Sequence, residues 1–408
     1  MSTFIKIAWR NITRNRSRSI ITISAVAIGL CALIFLKGFV DGADHQMIEN
    51  YTDLLVGHIE IHRQGFQKNM GIEKNISDAQ EITSLLQTIP DITAFSPRVK
   101  DFALISSPES SSGILLLGID PVSEKNVSTL HKRLRQGRFF QKNDDNKIIL
   151  GKQLAENLKV SLDDKVVILS QASDGSTAAA AYEVCGIIEA GAEEIDKGLA
   201  LITLKAAQDL LVLEKRVSEI VVKTASLDHI DKITQLLRSK INQKKFEVLN
   251  WKDISPMTYQ WLQFDMVFTS LILVIVLIVV ASGILNTVLM GVLERIREFG
   301  IMLALGTKPG QVLFMVATES FLLGFFGVLV GTLAGVGLIV FFGTNGINLS
   351  IISHALNNFY IGSIIYTRLD TGSIAVYALI VLLVSIVVSV FPAIKASRLS
   401  PIEAIRHI

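Results

Sequence analysis

The chain has 408 residues, of which 50% are hydrophobic and 19% charged, and its formal net charge is +2. A mean hydropathy of +0.48 lies above that of average soluble chains, while the charge content exceeds that of a bare bundle of spans. The composition therefore excludes both extremes, and with only Cys31 and Cys185 no disulfide framework is available.

The leader before Ile20 carries Lys6, Arg10, Arg14, Arg16 and Arg18 and no acid. Phe4, Ala8 and Ile12 recur every four residues beside Ile5 and Trp9, which suits a helix lying in the headgroup layer. A plain topological signal is the competing reading. Ile20 to Leu36 is the first apolar run. It reads as an uncleaved anchor, because the run exceeds a usual signal-peptide core and no A-x-A site follows it. Leu30 also stands before Cys31, where a lipid-attachment site wants a small residue.

From Ala43 to about Pro256 the pattern is that of a folded mixed domain. Strands are expected at His58 to His62, Phe102 to Ser106, Gly113 to Gly118, Lys165 to Leu169, Tyr182 to Ile188 and Val217 to Val222. Helices are expected at Ile82 to Gln87, Gly151 to Leu158, Leu204 to Leu213 and Asp228 to Ile241, with breaks at Pro90-Asp91, Asp120-Pro121 and Asp163-Asp164. Two strand-and-helix lobes are expected, the second near Val217 to Leu249. His58, Glu60 and His62 share one strand face, with Ile59 and Ile61 on the other. They are the best metal candidates, but no fourth ligand is evident. A polar, solvated face explains them, and no metal is assigned. Asp174-Gly175 marks a hairpin turn within Ser170 to Ala181.

Three further apolar runs follow, at about Met266 to Leu293, Val312 to Phe342 and Ile374 to Phe391, each long enough to cross a bilayer. Between the first two lies Glu294 to Gly306, ERIREFGIMLALG, a short charged segment with amphipathic helical spacing. Such a segment can pass a push from a soluble partner into the membrane. Gly324, Gly327, Gly331 and Gly335 line the third span, the last three at four-residue spacing. A small-residue row permits close helix approach, at a dimer seam, a moving interface or static packing of neighbouring spans. Glu319 in the same span is a functional carboxylate or one that snorkels or pairs with a basic residue. The leader, the break with Arg295, Arg297 and Lys308, and the tail with Lys395, Arg398 and Arg406 fall on one side. Short basic segments stay cytoplasmic, so both termini are expected inside. The loop Gly343 to Gly372 then lies outside.

No G-x-x-x-x-G-K-[ST], G-x-S-x-G or H-E-x-x-H pattern occurs, so nothing points to an enzyme. The expected fold is an α-helical membrane protein with four transmembrane helices and a large extracytoplasmic α+β domain. Its parts are an amphipathic cytoplasmic elbow helix over 1–18, a first transmembrane helix over 19–42 and a periplasmic domain over 43–262. A permease domain over 263–408 holds three transmembrane helices, a coupling helix at 294–309 and a cytoplasmic tail.

The leader AWRNITRNRSRSIITISAVAIG, the segment Glu294 to Gly306, Glu319 with its glycines and the tail FPAIKASRLSPIEAIR together resemble the FtsX/MacB-type ABC transporter permeases. The resemblance covers the whole chain and is greatest to the LolC/LolE lipoprotein-releasing type, with a MacB-like periplasmic core. It implies a bacterial inner-membrane, non-catalytic permease that works as a homo- or heterodimer with a LolD-like ABC ATPase. ATP and Mg are bound by that partner; no cofactor belongs to this chain and no nucleic acid is involved. It marks Glu294, Arg295, Arg297, Glu298, Phe299, Gly300, Leu305 and Gly306 for contact with the ATPase. The implied cargo is lipoprotein, handed to a LolA-like chaperone. A hairpin containing Ser170, Ser173, Asp174, Gly175 and Ser176 stands where the chaperone-recruiting hook would be. MacB-like export of peptides, toxins or drugs, and FtsX-like signalling to a cell-wall hydrolase, are the alternatives.

Overall fold

The computed structural model describes residues 2–141, 144–352, 356 and 359–397. Arg398 and Arg406 of the tail motif, and the side chains of Phe4 and Ile5, lie outside the described residues. The chain forms two compact units, one of Met1–Asp44, Leu262–Asn348 and Ile364–Ile408, the other of His45–Trp261 and Leu349–Ser363. The chain passes between the units after Asp44 and after Trp261. Half of the loop Gly343 to Gly372, however, groups with the external unit rather than with the permease domain.

An elbow helix, Ser2–Arg14, precedes a helix over Arg16–Tyr51, which leaves the first unit after Asp44. The candidate membrane-crossing stretches are Arg16–Val56, Pro256–Glu294, Pro309–Asn345 and Thr371–Lys395. Each exceeds the roughly 20 residues that a bilayer core requires. Val26, Leu30 and Ile34 of the first span meet Val280 and Ile284 of the second, Ile339 of the third and Val381 of the fourth in one apolar core. Fully buried Ser385 and Ser389 donate to the carbonyls of Leu382 and Ile386, both at 2.7 Å, so neither hydroxyl is stranded in apolar surroundings. Val267, Leu271, Val274 and Ile278 leave a broad apolar face exposed on the second span.

The external unit is built on one sheet. Its strands are β1 (Ile59–Arg63), β2 (Ile92–Ser106), β3 (Ser111–Ile119), β4 (Leu134–Gly137), β5 (Lys147–Gly151), β6 (Lys165–Gln171), β7 (Thr177–Ile188), β8 (Leu199–Thr203), β9 (Glu219–Thr224) and β10 (Phe246–Asn250). The order is β10-β1-β9-β2-β3-β8-β5-β7-β4, with β6 pairing β2 and β7. β3 with β8 and β5 with β7 are parallel pairs, and the other pairings are antiparallel. The expected second lobe is not separate, because β9 lies between β1 and β2 in the continuous sheet. Helices over Lys152–Leu158 and Leu204–Leu210 cover a core that includes Val99, Ile105, Leu116, Ile148, Leu150 and Val166. The break at Asp120-Pro121 proves to be a helix start: the Asp120 carboxylate caps Ser123 N–H at 2.9 Å and Pro121 opens the helix Pro121–Val127.

Candidate coupling site and external-domain clusters

The charged break is a helix over Ile296–Ala304. Arg295 at its start is 8% exposed and sends Nε to Glu298 at 2.8 Å and Nη1 to Glu319 at 3.2 Å. Glu319 therefore pairs with a basic residue rather than standing alone in its span. Arg14 of the elbow reaches the other oxygen of Glu298 at 3.1 Å, and Arg18 pairs with Glu294. Burial works against the charge on Glu298, but bonds from Arg295 and Arg14 outweigh it and hold the carboxyl below its ordinary range. The break, the elbow and the third span are thus joined by ion pairs.

Phe299 is fully buried, under the Arg295 guanidinium and among Val292, Val312, Met315, Val316 and Ala393. Gly300 is buried beside it. Arg297, Leu305 and Gly306 are exposed. Gly306 has φ +93°, a conformation that only glycine adopts cheaply, and it ends the helix. The eight predicted contact residues therefore divide: Phe299, Gly300 and Arg295 anchor the helix from within, while Arg297, Leu305 and Gly306 offer a surface. Glu294 and Glu298 are held by the leader's arginines.

The third-span glycines pack inside the chain. A Cβ on Gly331 would lie 2.7 Å from the Ala27 carbonyl oxygen, and one on Gly335 2.9 Å from the Ile34 side chain. Gly327 meets Val26, and Gly324 instead faces Ser385 of the fourth span. The row is filled by neighbouring spans of the same chain, so it is not free to form a dimer seam.

In the external unit the face of β1 read as solvated is buried: His58 is 5% exposed, Glu60 and His62 are at 0%. The sheet register explains why. His62 stands opposite Glu247 of β10 and Glu219 of β9, and Glu219 stands opposite Arg98 of β2. One row across four strands therefore alternates in charge. His62 Nε2 lies 2.9 Å from Glu60 and 3.5 Å from Glu219, and Lys100 Nζ lies 3.4 Å from Glu219 and 3.9 Å from Glu60. Glu124, delivered by the helix that Asp120 caps, holds Arg98 through two bonds of 3.0 and 2.6 Å. Burial opposes the imidazolium, but Glu219 and Glu60 overcome it and raise His62 to about 9. His58 separates from this group: its Nδ1 accepts from Thr224 N–H at 3.1 Å, and burial lowers it to about 4.

Glu60, His62 and Glu219 bring ligand-type atoms within 4.8 Å of one another. The donor set does not fit a metal. Glu60, Glu124 and Glu219 are already balanced by Lys100, Arg98 and protonated His62, so a divalent ion would displace the imidazole proton and lie beside the Lys100 ammonium. The group is a buried ion network.

The hairpin at Ser170 to Ala181 is tight. β6 and β7 pair down to Gln171 and Thr177, Gly175 turns at φ +85°, and the Asp174 carboxylate accepts from Ser176 N–H at 2.9 Å. Ser173 N–H and hydroxyl donate to the carbonyls of Leu211 and Val212 at 3.0 and 2.7 Å. The tip is thereby tacked to the end of the helix Leu204–Leu210 and does not project.

Residues 19–240 match the family model of the MacB-like periplasmic core domain, and 270–401 that of the FtsX-like permease C-terminal domain. The chain is 24% identical over 401 residues to the lipoprotein-releasing system transmembrane protein LolC of Neisseria meningitidis, covering 95% of this chain and 94% of that protein. It is 25% identical to the macrolide export ATP-binding/permease protein MacB of Nitrobacter winogradskyi, covering 96% of this chain and 58% of that protein. The periplasmic region of MacB from Actinobacillus actinomycetemcomitans aligns at 15% identity and a TM-score of 0.35, over 50% of this chain and 93% of that one. Four membrane-crossing helices, an α+β external unit and two consecutive family matches make this chain a member of the ABC transporter permeases of the LolC/MacB/FtsX type.

Proposed function

We propose that this chain is the permease subunit of an ATP-driven machine of the bacterial inner membrane that extracts lipoproteins and releases them on the periplasmic side. A separate ABC ATPase docks on the exposed surface of Arg297, Leu305 and Gly306, with both termini cytoplasmic. A second permease, the same chain or a paralogue, completes the dimer. The observation that carries the reading is the ion-paired coupling helix. Arg14 ties it to the elbow, Arg295 ties it to Glu319, and Arg18 of the first-span helix holds Glu294 just before it, so a displacement at its surface pulls on the elbow and the third span together. The choice of lipoprotein as cargo is supported by the near full-length likeness to LolC of Neisseria meningitidis.

The hairpin favours a second reading for the last step. With Ser173 bonded to Leu211 and Val212 it offers no projecting hook, so cargo passes on without a LolA-like chaperone held there, or leaves through an adaptor as in export. Lipoprotein release and its alternatives separate in one assay on the chain co-purified with its ATPase and reconstituted in vesicles. Triacylated lipoprotein raises ATP hydrolysis and its delipidated form does not, if release is correct. Equal indifference to both forms sinks the lipoprotein reading and leaves export or FtsX-like signalling to a cell-wall hydrolase.

A further inference from the structure

β2 changes neighbours along its length. It pairs β9 over Ile92–Arg98 and β6 over Leu104–Ser106, and among the described residues no strand flanks that side of 99–103. A cleft of about 800 Å³ opens there, wholly within the external unit. That volume lies in the range of small-ligand and peptide sites. Phe102 and Leu104 line it while remaining 63% and 43% exposed, and Leu115 and Leu169 continue the same apolar floor. Large apolar side chains on an open strand face are costly to leave in water unless something covers them.

The charges select the cover. Glu73, Asp101 and Glu194 line the cleft against one basic residue, Lys100. Lys100 is 5% exposed and its ammonium is spent on Glu219 and Glu60. Asp101 is buried and accepts from the Ser170 hydroxyl. Glu73 and Glu194 are exposed, and Glu194 accepts one bond from the Tyr360 hydroxyl at 2.8 Å. An apolar floor under an acidic rim repels phosphate headgroups and fatty-acid carboxylates and attracts a cation carried on an apolar stem.

We propose that this cleft binds an extended peptide segment that pairs a bulky apolar side chain with Lys or Arg. The apolar side chain covers Phe102 and Leu104, and the cation meets Glu73 and Glu194. The inference is independent of whether the cargo is acylated, and it stands if the lipoprotein reading fails.

The test uses the full chain in mild detergent and a short acetylated Leu/Lys peptide with a central benzoyl-phenylalanine. Photolysis followed by mass spectrometry is expected to label 102–104 and 169–171. A Leu/Glu probe of the same length labels about fivefold less, the effect of reversing two partly exposed ion contacts. Glu73→Lys and Glu194→Lys each weaken labelling by the Leu/Lys probe, and Leu104→Asp abolishes it. Glu73→Lys changes an exposed loop residue, so its loss of labelling is not a loss of fold; gel filtration checks this. Absence of label in the cleft, equal labelling by the Leu/Glu probe, or competition by laurate, which marks an acyl-chain site, overturns the proposal.

Discussion

His62→Gln tests the buried ion network. The imidazole faces Glu60 and Glu219, with Glu247 at 3.9 Å and the Phe66 ring at 5.0 Å, and Lys100 and Arg98 supply the remaining positive charge. Its folded value of about 9 exceeds the ordinary 6.5. A raised value means stability that is fully present below about pH 6.5 and lost as pH climbs through about 9. A tenfold change in proton affinity is worth about 1.4 kcal/mol, so the imidazolium contributes about 3 kcal/mol. Removing one partner of a buried charge network costs about 3–5 kcal/mol, in agreement. Glutamine keeps the volume and a donor but not the charge. Amide hydrogen exchange in the full chain reads the result at β1 and β9. At about pH 6 the variant should lose about a hundredfold of protection there. After correction for intrinsic exchange, wild-type protection should fall between about pH 6.5 and 9 while the variant stays flat. Equal protection in both proteins, with no pH dependence in the wild type, would refute the network as a stabilising element.

Two further outcomes concern the span unit. Arg295→Ala leaves Glu319 without its 3.2 Å partner and frees Glu298 from one of two. Partner-stimulated turnover in vesicles should drop about tenfold, and the exchange Arg295→Glu with Glu319→Arg should recover part of it, since a lost pair of partly buried charges is worth about 1–3 kcal/mol. Gly331→Val drives carbon into the Ala27 carbonyl, whereas a Cβ on Gly337 meets nothing within 4 Å. Overpacking of this kind costs about 1–3 kcal/mol, and Gly→Ala in an open helix position gains about 0.5–1 kcal/mol. Thermal melts in detergent should place Gly331→Val below and Gly337→Ala at or above the parent.

What could be read from the sequence was what depends on near neighbours in the chain. Alternation placed a strand at His58 to His62, the Asp174-Gly175 pair placed a turn, and four-residue spacing placed Gly327, Gly331 and Gly335 on one face. None of these says what lies across from the face. Alternation yields two faces and cannot name the covered one, so on sequence alone the β1 polar face reads as solvated. Its partners Glu219 and Arg98 sit far along the chain, and only strand register brings them into one row. β5 and β8 escaped notice for a related reason. Leu199–Thr203 is buried at every position and carries no alternation, as expected of a strand covered on both sides. In the coupling segment the charges were legible but their direction was not: Arg295 turns inward because Glu319, on the next helix, draws it there.

The external unit receives chain from the span unit at four places, at His45, Leu262, Leu349 and Ile364. Two of these belong to the segment between the third and fourth spans, where Tyr360 is bonded on three sides. The Tyr360 hydroxyl donates to Glu194, its carbonyl accepts from Asn50 at 2.8 Å, and its ring meets Tyr51 edge-on at 5.1 Å. Burial and the Glu194 charge keep the phenol protonated, so it remains a donor throughout the physiological range. Force passes along a chain only if its far end is fixed; a floppy loop would absorb a displacement of the third span as slack. Here the far end holds Asn50 and Tyr51, at the end of the first-span helix, and Glu194, which lines the cleft. The third- and fourth-span linker and the end of the first-span helix thus meet within the external unit, through Tyr360, Asn50 and Tyr51.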